Sequence, residues 1–270
     1  MTETPRRCAA CQAAGHDRPE AGQSRRPPLG PSKVTKPHSL ETVTVAADDL
    51  RRRARLAAAA DALGLALDAA TLDHLMAYLQ LLQRWNRVYN LTALRDPDDM
   101  ISHHLVDCLA VLGPLRRVVA GLTPSGALRI LDVGSGGGLP GVVLALVEPS
   151  WQVSCVDTVA KKANFIRQVA AELRLPNLRG LHARVEALPE AAGRFDVITS
   201  RAFASLIDFT SLSRAALAEQ GVWLAMKGKL PSEEMAALPG DVRVFHVEHL
   251  QVPGLDAQRC LVWLQPQGMG

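Results

Sequence analysis

The sequence predicts an α/β fold, a mostly parallel, doubly wound sheet preceded by a helical extension. Three observations carry this expectation. Apolar runs of strand length alternate with helical segments from Leu128 to Leu264. The first run ends in Asp132 and passes into five glycines between Gly134 and Gly141, a turn that brings bare backbone close to a ligand. Residues 48–120, ahead of that turn, have the period of amphipathic helices.

At 270 residues the chain suits one sizeable domain with an additional piece. Hydrophobic residues make up 48% and aromatics only 4%, so Leu, Val and Ala must build the core. No apolar run approaches the ~20 residues of a membrane span and none reads as a signal-peptide core, so no membrane association and a cytoplasmic location are expected. Residues 1–47 carry seven Lys/Arg against four Asp/Glu, and the remainder holds 23 of each. Net charge therefore does not announce a nucleic-acid binder, and such a function must come from local basic clusters.

Taken in order, residues 1–47 are rich in Pro, Gly, Ser and Arg without hydrophobic period and read as a disordered tail. Cys8-x-x-Cys11 and His16 suggest zinc, but structural zinc wants four ligands and His38 stands apart, so no metal is expected. Cys155 and Cys260 fall in apolar runs and read as small core residues. Asp48 or Asp49 would cap a helix ending at Leu63, stopped by Gly64, with Arg51–Arg55 on its solvated face. Asp68 or Thr71 starts a longer helix whose Leu72, Leu75, Met76, Leu79 and Leu82 share one face. After Asp96-Pro97, a segment with Met100, Leu105, Leu109 and Leu112 would be stopped by Gly113-Pro114. Strands are expected near 128–133, 151–157, 178–183, 195–200, 221–227, 242–247 and 260–264, and helices near 139–147, 160–173, 205–218 and 231–238. The link from Glu248 to Arg259 is too short for a helical crossover, so the last two strands should form an antiparallel pair at the sheet edge. The organisation is then a tail to residue 47, a helical segment 48–120 and a ligand-binding domain 121–270.

Two cofactors fit the glycine turn. Gly136-x-Gly138-x-x-Gly141 satisfies the dinucleotide fingerprint, with a diphosphate on the helix N-terminus. The frame Asp132-x-Gly134-x-Gly136-x-Gly138 resembles S-adenosylmethionine (SAM) methyltransferases, which implies that the glycines pass the methionine part across the strand tip and that the acidic residue lies near its ammonium group. Asp157, ending the next apolar run, suits the ribose hydroxyls of either cofactor, or caps the helix that follows. The preceding helical segment and the edge hairpin favour SAM. The fold class expected is a Rossmann-like SAM-dependent methyltransferase with a seven-stranded, mostly parallel sheet, an antiparallel C-terminal edge hairpin and an N-terminal helical extension.

The strand tip Phe195–Ser205 has no Asn/Asp-Pro-Pro-aromatic turn of the kind that accompanies exocyclic amine acceptors, and no cysteine for covalent activation of a pyrimidine carbon. Acceptors with an available lone pair, such as a ring nitrogen, remain. These need alignment and electrostatics rather than a base. Trp85-Asn86-x-x-Tyr89-Asn90-Leu91-Thr92, His104-x-x-Asp107, the glycine turn, Arg184-Val185-Glu186 and Ser200-Arg201-Ala202-Phe203-Ala204 occur in that order. Over residues 50–265 the chain resembles the RsmG (GidB) family of small-subunit ribosomal RNA methyltransferases. The resemblance implies methyl transfer from SAM to N7 of a guanine in 16S rRNA, acting on that RNA or on the small ribosomal subunit, with no obligate protein partner. It implies cofactor contacts from Asp132, Gly134, Ser135, Gly136 and Leu139 at the methionine end. Asp157, Thr158 and Val159 would hold the ribose and adenosine, Val185 and Glu186 the adenine, and Arg201 the cofactor–substrate junction. Arg184, Lys227 and Lys229, expected around one sheet face, are candidate RNA contacts, as are Asn90 and His104 from the shared motifs. The alternatives weighed are an RNA-binding ribosome-assembly protein retaining a SAM fold, and an NAD(P)-dependent oxidoreductase.

Overall fold

The computed structural model of the protein describes residues 39–122, 124, 126–189, 192–201, 203 and 205–267. Cys8, Cys11, His16 and His38 lie outside the described residues, as does the rest of the tail to residue 38. Seven strands form one sheet: β1 (Arg129–Val133), β2 (Gln152–Asp157), β3 (Leu178–His182), β4 (Phe195–Arg201), β5 (Leu217–Lys227), β6 (Val242–Leu250) and β7 (Arg259–Pro266). Their order is β3-β2-β1-β4-β5-β7-β6. The first five are parallel, and β7 runs antiparallel to both β5 and β6 between which it lies. The expected hairpin is therefore present, and its second strand is inserted inside the edge.

Successive side chains of a strand face opposite sides, and both sides are covered here. Ile130, Val153, Val197, Leu224 and Trp263 pack with Leu56, Leu75, Leu82, Leu105 and Leu109 of the N-terminal helices. Leu131, Val156, Ile198, Trp223 and Val262 pack on the other face with Phe209. Burial on both faces is why the central strands read as unbroken apolar runs rather than alternating ones. The N-terminal helices and the sheet thus share one core.

The helices on the first face are α1 (Ser39–Ala62), α2 (Ala69–Tyr89), α3 (Pro97–Met100), a π-helical turn (Ile101–Val106), α4 (Asp107–Leu109), α5 (Leu112–Val119), α6 (Gly141–Val147) and α7 (Ala160–Glu172). α8 (Leu206–Ser213) and the short α9 (Ser232–Ala236) complete the fold. Asp68 caps α2 by accepting from Thr71 N at 2.7 Å, and Asn90 closes it in the left-handed region at φ 51°. Among the described residues, no helix is long and apolar enough to cross a membrane.

Three expectations need correction. α1 starts at Ser39, so Asp48 and Asp49 lie inside it, where they pair with Arg51 and Arg52 one turn on. Arg51, Arg52 and Arg55 then converge on Asp98 of α3, which fastens α1 to the next helical segment. Gly113-Pro114 does not stop a helix; both sit in the first turn of α5, where a missing proline N–H costs nothing. The helix expected over 205–218 ends at Ser213, and β5 begins at Leu217, because Gly221 lets that strand lie against the Phe195 carbonyl without a side chain.

Candidate active site

β1 delivers Asp132 to the start of α6. Its side chain is wholly buried, and Oδ2 accepts from the Gly141 N–H at 2.9 Å. Oδ1 has no partner among the described residues. Burial pushes this carboxyl up to about 7, while the Gly141 N–H and the charge of Arg201 pull it back. Asp132 therefore fixes the helix that follows the turn and does not line the cavity described below. Gly141 has to be glycine because a Cβ there would lie 2.4 Å from Cys155 Sγ, on the adjacent strand. At Gly138 φ is +87°, and a Cβ would meet Val142 and Ile166 at 2.4 and 2.5 Å. From the other side, the Tyr78 hydroxyl of α2 donates to Gly137 O at 2.6 Å. Ser135 and Leu139 are buried in the turn, and the Ser135 side chain lies against the Cys155 thiol.

β2 delivers Asp157 to the neighbouring position. Its Oδ2 accepts from Gly136 N at 3.1 Å and its Oδ1 from Val159 N at 2.9 Å, with Lys162 Nζ at 3.5 Å. The carboxylate thus ties the glycine turn to the start of α7 and remains on the wall of a cavity of about 330 Å³. Gly134, Asp157, Thr158, Val159, Lys162, Arg184, Val185, Glu186 and Phe203 line it. Acidic and apolar walls, with bare backbone at Gly134, suit a nucleoside carrying an amino-acid chain. The Phe203 ring would lie 3.6 Å from a Cβ at Gly134, so the turn leaves a narrow passage there. Asp157 both caps locally and faces the cavity.

β4, the neighbour of β1, delivers Arg201 to the adjoining strand tip, outside the lining of that cavity. Its guanidinium donates to His103 O at 2.9 Å and pairs with Asp107 at 3.3 Å, and it stands 3.5 Å from His104 Nδ1. Asp107 also pairs with Arg259 at 2.8 Å. One buried carboxylate therefore holds two arginines, and the group keeps one positive charge. Arg201 and Arg259 face a second cavity of about 370 Å³, together with His104, Met226, Lys227 and Leu250. His104 is buried, with Nε2 2.8 Å from Thr92 Oγ1, and burial beside Arg201 pulls its pKa down to about 4, so its ring is neutral.

The other candidates separate. Asn90 is the cap of α2, and its side chain accepts from Arg95. Arg184 is exposed and pairs with Glu186 at 3.4 Å, at the cofactor-like cavity. Lys227 is clamped by Glu234 at 2.8 and 3.0 Å, at the second cavity, and Lys229 is exposed beyond it. Arg184 follows β3 and Lys227 ends β5, four strand positions apart or about 19 Å, so the expected cluster does not form. Sequence reasoning assigned no role to Asp107, Lys162 or Arg259. Asp107 was visible in the His104-x-x-Asp107 motif, but nothing local points from Arg259 to a partner 152 positions away. Among the described residues, no group of three or more His, Cys, Asp or Glu is placed to hold a metal ion.

A family model described as GidB, rRNA small subunit methyltransferase G, matches residues 71–262. The chain belongs to this family. The GidB-family chain is 60% identical over 232 residues to "Ribosomal RNA small subunit methyltransferase G" of Paracidovorax citrulli, covering 83% of this chain and 93% of that one. It is 57% identical over 227 residues to the protein of the same name from Methylibium petroleiphilum, covering 84% and 100%. A solved SAM-dependent methyltransferase from Aquifex aeolicus aligns at 18% identity and a TM-score of 0.45, over 65% of this chain and 96% of that one. The GidB-family chain is a SAM-dependent methyltransferase, which sets aside the oxidoreductase and the non-enzymatic reading. The sheet agrees, since a dinucleotide fold of order 3-2-1-4-5-6 has no antiparallel strand inserted before its edge.

Proposed function

We propose that this methyltransferase acts on N7 of a guanine in 16S rRNA, within the free RNA or the small ribosomal subunit, in the cytoplasm. The observation that carries the reading is the position of Arg201, held by Asp107 at the tip of β4 on the wall of a second cavity rimmed by cations, while Gly134, at the tip of the adjacent β1, lines the nucleoside-sized one. When bound, SAM supplies an electrophilic methyl on a sulfonium. In this reading Asp157 accepts from the ribose hydroxyls, and Val159 and Val185 flank the adenine. Glu186 accepts from its exocyclic amine. Gly134, Ser135, Gly136 and Leu139 border the methionine part, and Asp132 braces them from beneath. The Asp157 and Glu186 carboxylates on the cavity wall, with bare backbone at Gly134, fit the polar edges of such a ligand.

Guanine enters the second cavity, where Arg201 and Arg259 offer forked donors to O6 or to an adjoining phosphate. N7 already carries a lone pair and no proton, so no base is required. His104 is neutral and bonded to Thr92, and Asp107 is shared by two arginines; both position Arg201. The test incubates the purified full chain and SAM with 16S rRNA and with 30S particles from cells lacking the activity, then maps N7-methylguanine. Methyl groups found only at another atom would overturn the acceptor assignment.

A further inference from the structure

The C-terminal half of α2 is a cationic and aromatic surface that the two cavities do not account for. No Asp or Glu occurs between Asp73 and Asp96, a stretch that carries Arg84, Arg87 and Arg95. Arg84 and Arg87 are exposed and, among the described residues, make no ion pair or hydrogen bond. That sets them apart from Arg51, Arg52, Arg53, Arg55, Arg116 and Arg117, whose charges are all answered by a carboxylate. Beside them Val88 is 70% exposed, and around the helix from them, at its last position, Tyr89 is 40% exposed. The Trp85 ring joins this end of α2 to α7, with Phe165 at 5.4 Å and Tyr89 at 5.1 Å. One turn before Phe165, Lys161 is exposed and equally without a partner, and no acid occurs in α7 before Glu172. Its neighbour Lys162 lines the cofactor-sized cavity, and Leu91 O lies 3.9 Å from a Cβ at Gly136. Unanswered cations thus sit on both elements that flank the glycine turn.

We propose that Arg84, Arg87 and Lys161 form a docking strip for the sugar-phosphate backbone of RNA, with Tyr89, around the end of α2, as a ring on which an unstacked base lies. The inference rests on the reading of RNA as substrate and adds where the chain outside the reacting guanine is held. Phosphates answer the charges, and single-stranded RNA is the form whose free bases stack on exposed aromatic rings. The strip supplies affinity and register, while the second cavity selects the base.

The test measures binding of the full chain to a 16S rRNA fragment and to 30S particles as a function of salt, alongside methyl transfer and titration with SAM. The double variant Arg84→Ala/Arg87→Ala is compared with Arg174→Ala/Arg179→Ala. The control pair is exposed and makes no ion pair among the described residues; Arg174 follows α7, about 20 Å from Lys161, and Arg179 lies on β3, where it alternates with Leu178 and Gly180, which face α7. The expected result is that the first variant loses about 1.5 from the slope of log K against log salt, weakens rRNA binding about tenfold and raises KM for RNA. SAM affinity and the melting temperature stay within error, and the control pair keeps the wild-type slope. Equal slopes in the two variants, or a defect confined to 30S particles and absent with the RNA fragment, overturns the proposal, the latter by pointing to a ribosomal protein. A wild-type chain that binds RNA through the strip without methylating it upholds the strip and rejects the acceptor assignment. A wild-type chain with no RNA affinity rejects both.

Discussion

Replacing Asp107 by asparagine removes the negative charge from a buried cluster that holds two arginines. The Asp107 side chain is 3% exposed, and Arg201 and Arg259 approach it at 3.3 and 2.8 Å while themselves 23% and 22% exposed. With charge centres about 4 Å apart and an effective dielectric of ~20, each attraction is about 4 kcal/mol before the hydration lost by both partners. Removing one partner of such a pair costs about 3–5 kcal/mol, because the remaining charge stays desolvated. Two arginines lose their counter-ion together here, so Asp107→Asn belongs at the upper end of that range. For a chain of this size each kcal/mol lowers Tm by about 2–4 °C, giving a fall on the order of 10 °C. Urea unfolding followed by tryptophan fluorescence measures the loss, because Trp223 and Trp263 are fully buried. The double variant Asp107→Asn/Arg259→Met also removes one of the two stranded cations, so it should be more stable than the sum of its single changes. A loss below about 1 kcal/mol for Asp107→Asn, or strict additivity in the double variant, refutes the shared-anion account.

Three further outcomes follow from the site. Asp157→Ala removes the acceptor for two backbone N–H groups, and calorimetric titration should show SAM affinity falling by at least about tenfold; unchanged affinity would remove Asp157 from the cofactor wall. Gly138→Ala forces a Cβ to 2.4 Å from Val142 at φ +87°, and the combined overpacking and strain should cost about 2–4 kcal/mol in urea unfolding. His104 and Asp132 act on stability in opposite directions with pH. The lowered His104 pKa, about 4 against 6.5 unfolded, withdraws stability as pH falls through that window. The raised Asp132 pKa, about 7 against 3.8, withdraws stability as pH rises through its own window. Their slopes largely cancel between pH 4.5 and 6.5 in the native chain. His104→Gln leaves the Asp132 slope exposed, so stability should decline with rising pH by up to about 1.4 kcal/mol per unit; a flat profile in that variant contradicts the assignment.

The sheet was legible because strands covered on both faces become continuous apolar runs, and the seven expected runs match β1 to β7 within a few residues. Asp157 was legible for a related reason, since a glycine turn after β1 fixes where the tip of β2 must lie. Charge was read less well. Asp48 looked like a cap because its side chain suits one, yet in mid-helix it pairs with Arg51 instead. Arg184 and Lys227 looked like neighbours because both follow strands, but β3 and β5 are separated by β2, β1 and β4. Strand order is a property of the whole fold and leaves no local mark. The Asp107–Arg259 pair is the extreme case, joining the helical segment to β7 across 152 positions.

The insertion of β7 between β5 and β6 gives the order of synthesis a meaning. When β6 has left the ribosome, its place at the edge does not yet exist, and β5 presents an unpaired edge to its surroundings. Only the later-made β7 fills the gap, and its first residue, Arg259, is the one that completes the arginine pair on Asp107. The glycine turn and the residues lining the cavity beside it all precede that point, whereas half of the cationic group at the second cavity follows it. The cationic pair at that cavity is therefore complete only once β7 has been made, and a chain that stops before β7 leaves the β5 edge open to edge-to-edge pairing.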